Sequence, residues 1–305
     1  MKWEKRGLIY GPDTSSLWAR NSALQPTPLL RNEDRSIRVF LGFRDDDGVS
    51  RVGYVDVSAI DPSRVLRVSR NPVLDIGVPG AFDENGVVPC AVVRCGGKLY
   101  LFYAGYQLAQ RVKFFVFGGL AISDDDGETF VRYSQVPICD RTDHELFFRV
   151  VHTMMCDDNH WRAWYGGGSD FDVDGEKQYP RYNIRHACSP DGVHLDAEYQ
   201  VCIDMEGGEY RVGRPYVIKH DNLYRMFYGV GTRVEGYRLA YAESNDGVNW
   251  LRRAQELGID VSPSGWDSEM QAYPAVVTYE NQTYLFYNGN NYGREGFGFA
   301  LLEHW

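Results

Sequence analysis

Three acids sit where carboxylate chemistry would want them: Asp83 in GAFDENGVVP, Glu145 in HELFFRVVH and Asp267 in GWDSEMQAYPAVV, each shortly before an apolar, strand-like run. A pair of carboxyl groups can cleave or transfer a glycosidic bond. One protonates the leaving oxygen while the other acts as base or nucleophile; a separation of about 5 Å predicts retention and roughly 6.5 to 9.5 Å inversion. Close by in sequence lie Arg149, His152, Arg211 and Arg214. Basic residues beside strand-like runs need partners when buried. Two roles are open to them: salt bridges to Asp83, Glu145, Glu209 or Asp267 across a shared axis, or a grip on a substrate carboxylate or phosphate, which suits the planar fork of arginine. Gln25, Arg44, Glu269, Tyr273 and Asn288 complete the set expected to touch substrate, together with Arg149, His152 and Arg214.

The elements that must position these residues form a repeat. LYLFYAG (Leu99–Gly105) recurs as WRAWYGG (Trp161–Gly167), LYRMFYG (Leu223–Gly229) and TYLFYNG (Thr283–Gly289), with a looser first copy at Arg38–Asp45, at intervals of roughly 60 residues. Each copy alternates and is rich in aromatic or β-branched residues, as a strand is. Before each copy lies an apolar run, four of the five carrying proline: LQPTPLL, GVVPCAVV, VVHTMMC, GRPYVIK and QAYPAVV. After the central copies come Ser-x-(x)-Asp-Gly hairpins around Asp126, Asp191 and Asp246, where glycine accepts positive φ and aspartate caps its own turn. Each unit therefore reads as about four strands, and five units predict an all-β, five-bladed propeller of four-stranded antiparallel blades. The last copy lacks a fourth strand, and Trp3–Tyr10 is expected to supply it and close the ring. One domain over residues 1–305 follows.

The five repeats, the hairpins and the YLFYxG strands resemble the propellers of glycoside hydrolase families 43, 32, 68 and 130. GWDSEMQAYPAV followed by YLFYNGNNYGREGFGFA is similar to predicted glycosyl hydrolases of bacterial surface-polysaccharide clusters. The resemblance implies an axial pocket that cleaves or transfers a glycosidic bond, with Asp83, Glu145 and Asp267 as acid, base or stabiliser. It also implies catalytic acids directly before the strand prolines, and here the chain departs from it: those positions hold Gln25, Val88, Arg214 and Tyr273, with His152 in the matching place of the third unit. Two rival readings follow: a sugar-binding propeller without catalysis, and a phosphorylase or transferase using the Arg/His cluster as an anion site. An Asp box of the sialidase kind can be read at Ser123–Phe130, but five units rather than six count against a sialidase.

Composition narrows the partners. A formal net charge of -10 over 305 residues argues against nucleic acid as a partner. No stretch is long and apolar enough to span a membrane, and the N-terminal residues lack a signal-peptide pattern, so the expectation is a cytoplasmic protein. Six cysteines without ligand spacing read as free thiols, and YGGGSD follows a strand but opens no helix. No cofactor or metal is expected.

Overall fold

In the computed structural model the described residues are 1–157 and 160–305, and of Asp157 the backbone alone is described. After β1 (Lys2–Tyr10) come four four-stranded units and a fifth of three strands. Blade one is β2 (Asn21–Arg31), β3 (Ser36–Arg44), β4 (Ser50–Ser58) and β5 (Val65–Val68). Blade two is β6 (Val87–Cys95), β7 (Lys98–Leu108), β8 (Phe114–Ser123) and β9 (Val131–Arg132). Blade three is β10 (Phe148–Asp157), β11 (His160–Asp174), β12 (Lys177–Ser189) and β13 (Gln200–Ile203). Blade four is β14 (Glu209–His220), β15 (Leu223–Thr232), β16 (Arg238–Ser244) and β17 (Leu251–Arg252). Blade five is β18 (Ala272–Tyr279), β19 (Gln282–Asn288) and β20 (Phe297–His304). Its fourth strand is β1, antiparallel to β20 from Lys2↔His304 to Tyr10↔Phe297. The chain folds as the five-bladed propeller its repeats predict.

Alternation explains why each blade is a sandwich filling. Apolar residues point from both faces of a strand, so each blade buries one face on each neighbour. Five interblade cores result. Phe43 and Val57 of blade one meet Phe286 and Phe299 of blade five. Phe40 and Tyr54 meet Leu101 and Tyr103 of blade two. The remaining interfaces are built around Phe102 and Tyr165, Trp164 and Tyr228, and Phe227 and Tyr287. The Ser-Asp hairpins close on themselves and dock on the preceding blade. Ser123, Ser189 and Ser244 accept the amides of Gly127, Gly192 and Gly247, and Trp164 Nε1 donates to Gly247 O across the interface at 2.7 Å.

One irregularity is common to all five blades. Each inner strand breaks register at one shared place: around Gln25 in β2, Cys90 in β6, His152 in β10, Arg214 in β14 and Tyr273 in β18. A bulge re-aims the side chain it carries, here towards the propeller axis. Gln25, Arg214 and Tyr273 adopt φ of 52°, 56° and 58°. Such a conformation costs on the order of 1–3 kcal/mol for a residue with a Cβ and persists only where the surroundings impose it. The strain therefore marks the axis as the place to look for function.

Candidate functional site

The three expected catalytic acids are each hydrogen-bonded within their own blade. Asp83, fully buried, takes the Tyr103 hydroxyl at 3.0 Å and Arg132 Nε at 2.8 Å on one oxygen, Oδ2. Asp267 Oδ2 takes Lys5 Nζ at 2.8 Å, the Tyr287 hydroxyl at 3.0 Å and Gln271 Nε2 at 3.1 Å. Glu145 pairs with Arg149 at 2.9 Å and Arg185 at 3.1 Å. Glu209 completes the series in blade four, holding both terminal nitrogens of Arg252 at 2.9 and 3.0 Å. The arrangement repeats: an acid at the entry to the inner strand, the tyrosine of the FYxG or WYGG strand close to it, and a base. In three blades the base comes from the outermost strand, Arg132 on β9, Arg252 on β17 and Lys5 on β1; in blade three it is Arg185 on β12. Tyr165 and Tyr228 have raised phenol pKa values, first through burial and with a further rise from Glu145 and Glu209 respectively. Blade one has no such set, and β3 carries no tyrosine.

Asp83, Glu145 and Asp267, expected as a carboxyl pair over a sugar, are each engaged by partners of their own blade. A feature copied from blade to blade serves the blade. Arg149 is likewise part of the Glu145 cluster and not a free substrate contact. The expected salt bridges of Arg211 and Arg214 to the four acids are also not formed: among the described residues neither arginine pairs with a carboxylate, whereas Arg149 does. Asn288, fully buried, spends its amide on Ala23 O, Gly296 O and the Gln25 amide, which fastens blade five to blade one. Glu269 is exposed at the rim, with its backbone amide on Asn290 Oδ1.

The axis itself is basic and aromatic. Its floor is Arg214, 4% exposed, whose guanidinium donates to carbonyls of three other blades: Cys90 O at 2.5 Å, His152 O at 3.3 Å and Pro26 O at 3.1 Å. Burial pushes this guanidinium's pKa down from its ordinary value. Burial, helped by Arg214, holds His152 well below its ordinary 6.5, and His152 Nδ1 has no protein partner. Gln25 Oε1 lies 3.5 Å from Cys90 Sγ. Burial raises that thiol to about 12, too high for a nucleophile at neutral pH.

Above the floor each blade contributes to a funnel. Blade one gives Arg44, blade two Tyr106, blade three Phe148 and Tyr182, blade four Arg211 and Tyr237, and blade five Tyr273 and Tyr292. Tyr106 titrates high through burial and senses Cys90, Arg44, Tyr182 and Tyr292, so these groups share one space. Phe148 stacks on Tyr182 with centroids 4.6 Å apart, and the Tyr182 and Tyr237 hydroxyls are hydrogen-bonded. Arg211 lies 3.9 Å from the Tyr237 centroid and donates to the Tyr292 hydroxyl at 3.0 Å. Tyr292 sits in the short helix α1 (Asn290–Gly293) at φ 59°, beside Asn291 at φ 51°. Gly213 makes room for the funnel, since a Cβ there would lie 2.7 Å from the Tyr182 ring. Tyr106, Phe148, Tyr182, Tyr273 and Tyr292 are half-buried and open to solvent. Sugars suit such walls, stacking apolar faces on rings and bonding hydroxyls to phenols.

Of the sequence candidates, the axial region thus gathers Gln25, Arg44, His152, Arg214 and Tyr273. Sequence reading assigned no site role to Tyr182, Tyr237 and Tyr292, whose signal, aromatics beside Gly-rich strand ends, is shared with the core. Wider clefts of about 620 and 700 Å³ lie at the periphery of blade four, lined by residues such as Trp250 and Leu257, and no funnel residue lines them. Among the described residues no cluster of His, Cys, Asp and Glu could hold a metal ion, and no helix is long and apolar enough to cross a membrane.

No family model matches the chain. The uncharacterized protein Rv1502 of Mycobacterium tuberculosis H37Rv is 35% identical over 304 residues, 99% of this chain and 100% of the relative. A second relative, from strain CDC 1551, is 34% identical over the same span. Among solved structures, a complex of BT0996 with RGII superposes with TM-score 0.75 at 19% identity, over 99% of this chain and 92% of that one. A thermostable family-43 glycoside hydrolase gives 0.66 at 13%, over 94% and 91%. A family-130 glycoside hydrolase targeting β-1,2 mannosidic linkages in Candida mannan gives 0.70 at 14%, over 98% and 93%. At these identities the likeness is one of fold.

Proposed function

The chain belongs to the same family as the M. tuberculosis protein Rv1502, and from that premise we propose that it is a carbohydrate-active protein that takes a glycan into its axial funnel. The observation that carries this is the convergence of half-buried tyrosines from blades two, three and five, packed with the buried Tyr237 of blade four and beside arginines from the first and fourth. Proteins of the same fold, solved in complex with RGII or named for mannosidic linkages, support the ligand class. The resemblance to predicted glycosyl hydrolases of surface-polysaccharide clusters favours a bacterial surface glycan as the source.

Against two-carboxylate hydrolysis through Asp83, Glu145 and Asp267 stands the engagement of each acid by a base of its own blade. This favours recognition of the glycan. A second reading, transfer or phosphorolysis assisted by an anion site, is favoured by the carboxylate-free pair His152 and Arg214. The test is an array of neutral and acidic glycans read for binding, followed by incubation of each binder with and without inorganic phosphate. Binding without cleavage supports recognition, and phosphate-dependent cleavage supports the second reading. Cleavage in water that is lost in the Asp83→Asn or Asp267→Asn variant while these remain folded would overturn both.

A further inference from the structure

Buried arginines in this protein normally carry a carboxylate. Arg38, fully buried, pairs with Asp56 and Glu128, each at 2.8 Å; Arg149 and Arg185 share Glu145. Two depart from this: Arg214, whose guanidinium is spent on the backbone carbonyls of Cys90, His152 and Pro26, and Arg211, which has no such set. It is 8% exposed, and phenols surround it: the Tyr292 hydroxyl at 3.0 Å and the rings of Tyr237 and Tyr210 at 3.9 and 4.7 Å. Phenols at neutral pH are uncharged, so the guanidinium has no counter-charge among the described residues. Across the funnel Arg44 has no ion pair among them either, and its buried Nε has no acceptor. Desolvating a cation without a partner costs several kcal/mol, a cost that proteins otherwise avoid.

We infer that the missing charge is the ligand's, and that the funnel selects an acidic sugar whose carboxylate is held between Arg44 and Arg211 while its ring stacks on the tyrosines. The inference rests on the reading of the funnel as a glycan site and names the class of glycan. Charge-assisted bonds from arginine to carboxylate are roughly twice as strong as neutral ones. The rest of the surface works in the opposite sense, since the chain carries a formal charge of -10. Net charge therefore gives an acidic glycan no long-range attraction, and its preference must come from contacts within the funnel.

The experiment is calorimetric titration of the full chain with oligoglucuronate, oligogalacturonate, their carboxyl-reduced neutral forms, and inorganic phosphate, at low and high salt. Expected is binding of a uronate about tenfold or more tighter than its reduced form, with the difference shrinking as salt rises. Arg44→Gln, at a half-buried position outside the blade cores, should abolish the difference and Arg211→Lys should narrow it, with the melting transition of each variant as the folding control. Equal binding of acidic and reduced forms would overturn the inference and leave the glycan reading standing. Phosphate binding that competes with a neutral sugar, without any uronate preference, would overturn it in favour of a phosphoryl ligand. Absence of binding by any of these glycans would overturn both.

Discussion

Lys5 Nζ lies 2.8 Å from Asp267 Oδ2, so the strand that completes blade five is pinned to the loop that opens it. Asp267 is 1% exposed and its other partners, Tyr287 and Gln271, are buried with it. Removing one member of such a set leaves the others unpaired in a low dielectric.

Asp267→Ala is therefore expected to lower stability by about 3 kcal/mol, as breaking buried ion pairs does, with glycan affinity in the folded protein unchanged. Denaturant titration and glycan binding, measured on the same sample, separate the two. A variant that folds as well as the parent yet loses glycan binding would return Asp267 to the substrate.

Acid should loosen the same joint. Burial raises the Asp267 pKa, but hydrogen bonds from Lys5, Ser262 and Gln271 win, and the carboxyl ends below its ordinary 3.8. The unfolded chain then binds the proton more readily, so this contribution is complete above about pH 4 and is lost as the pH falls through the lowered native value. Lys5→Met should flatten the acid-side slope of unfolding free energy below about pH 4. An unchanged slope would contradict the assignment.

His152 is expected to stay neutral across about pH 5 to 8, in the range where an unperturbed histidine titrates, because burial and Arg214 both disfavour its cation. Imidazole proton shifts of His152 should be flat over that range. Since its native value lies below the ordinary 6.5, its neutral burial stabilises the fold above that pH and ceases to do so on acidification. His152→Gln should remove that part of the pH dependence.

The funnel wall gives a further test. Tyr273→Ala should weaken glycan binding by about tenfold, the order expected for losing one stacked aromatic. Gly213→Ala should weaken it without removing any contacting group, because the added methyl would drive the Tyr182 ring from its place. Binding titration checks both, with the melting transition as control.

Much of the architecture could be read from sequence because it repeats. The YLFYxG strands, the prolines and the Asp-Gly hairpins each record a local rule applied five, four or three times, and periodicity survives where any one copy is ambiguous. The same repetition misled the search for the site. Asp83, Glu145, Glu209 and Asp267 stand out in sequence, yet they recur because Tyr103, Tyr165, Tyr228 and Tyr287 recur beside them. Tyr182, Tyr237 and Tyr292 recur in no other blade, so no pattern announced them, whereas Arg211 and Tyr273 were visible as a basic residue beside a strand-like run and as the residue before a strand proline. Tyr182 and Tyr237 look like core aromatics until their position at the mouth is known, and the missing counter-charge of Arg211 is a property of space that no spacing encodes.

The pairing of β1 with β20 also sets an order of events. β1 leaves the ribosome long before β20 exists, on the order of tens of seconds earlier at about 5–20 residues per second. Throughout that interval its edge is unpaired and open to neighbouring chains. Four blades can stack as they emerge, but the ring stays open until the last hairpin meets the first strand. Crowded polysomes are thus where this molecule is most exposed to a wrong partner, and a short delay in finishing blade five would lengthen that window.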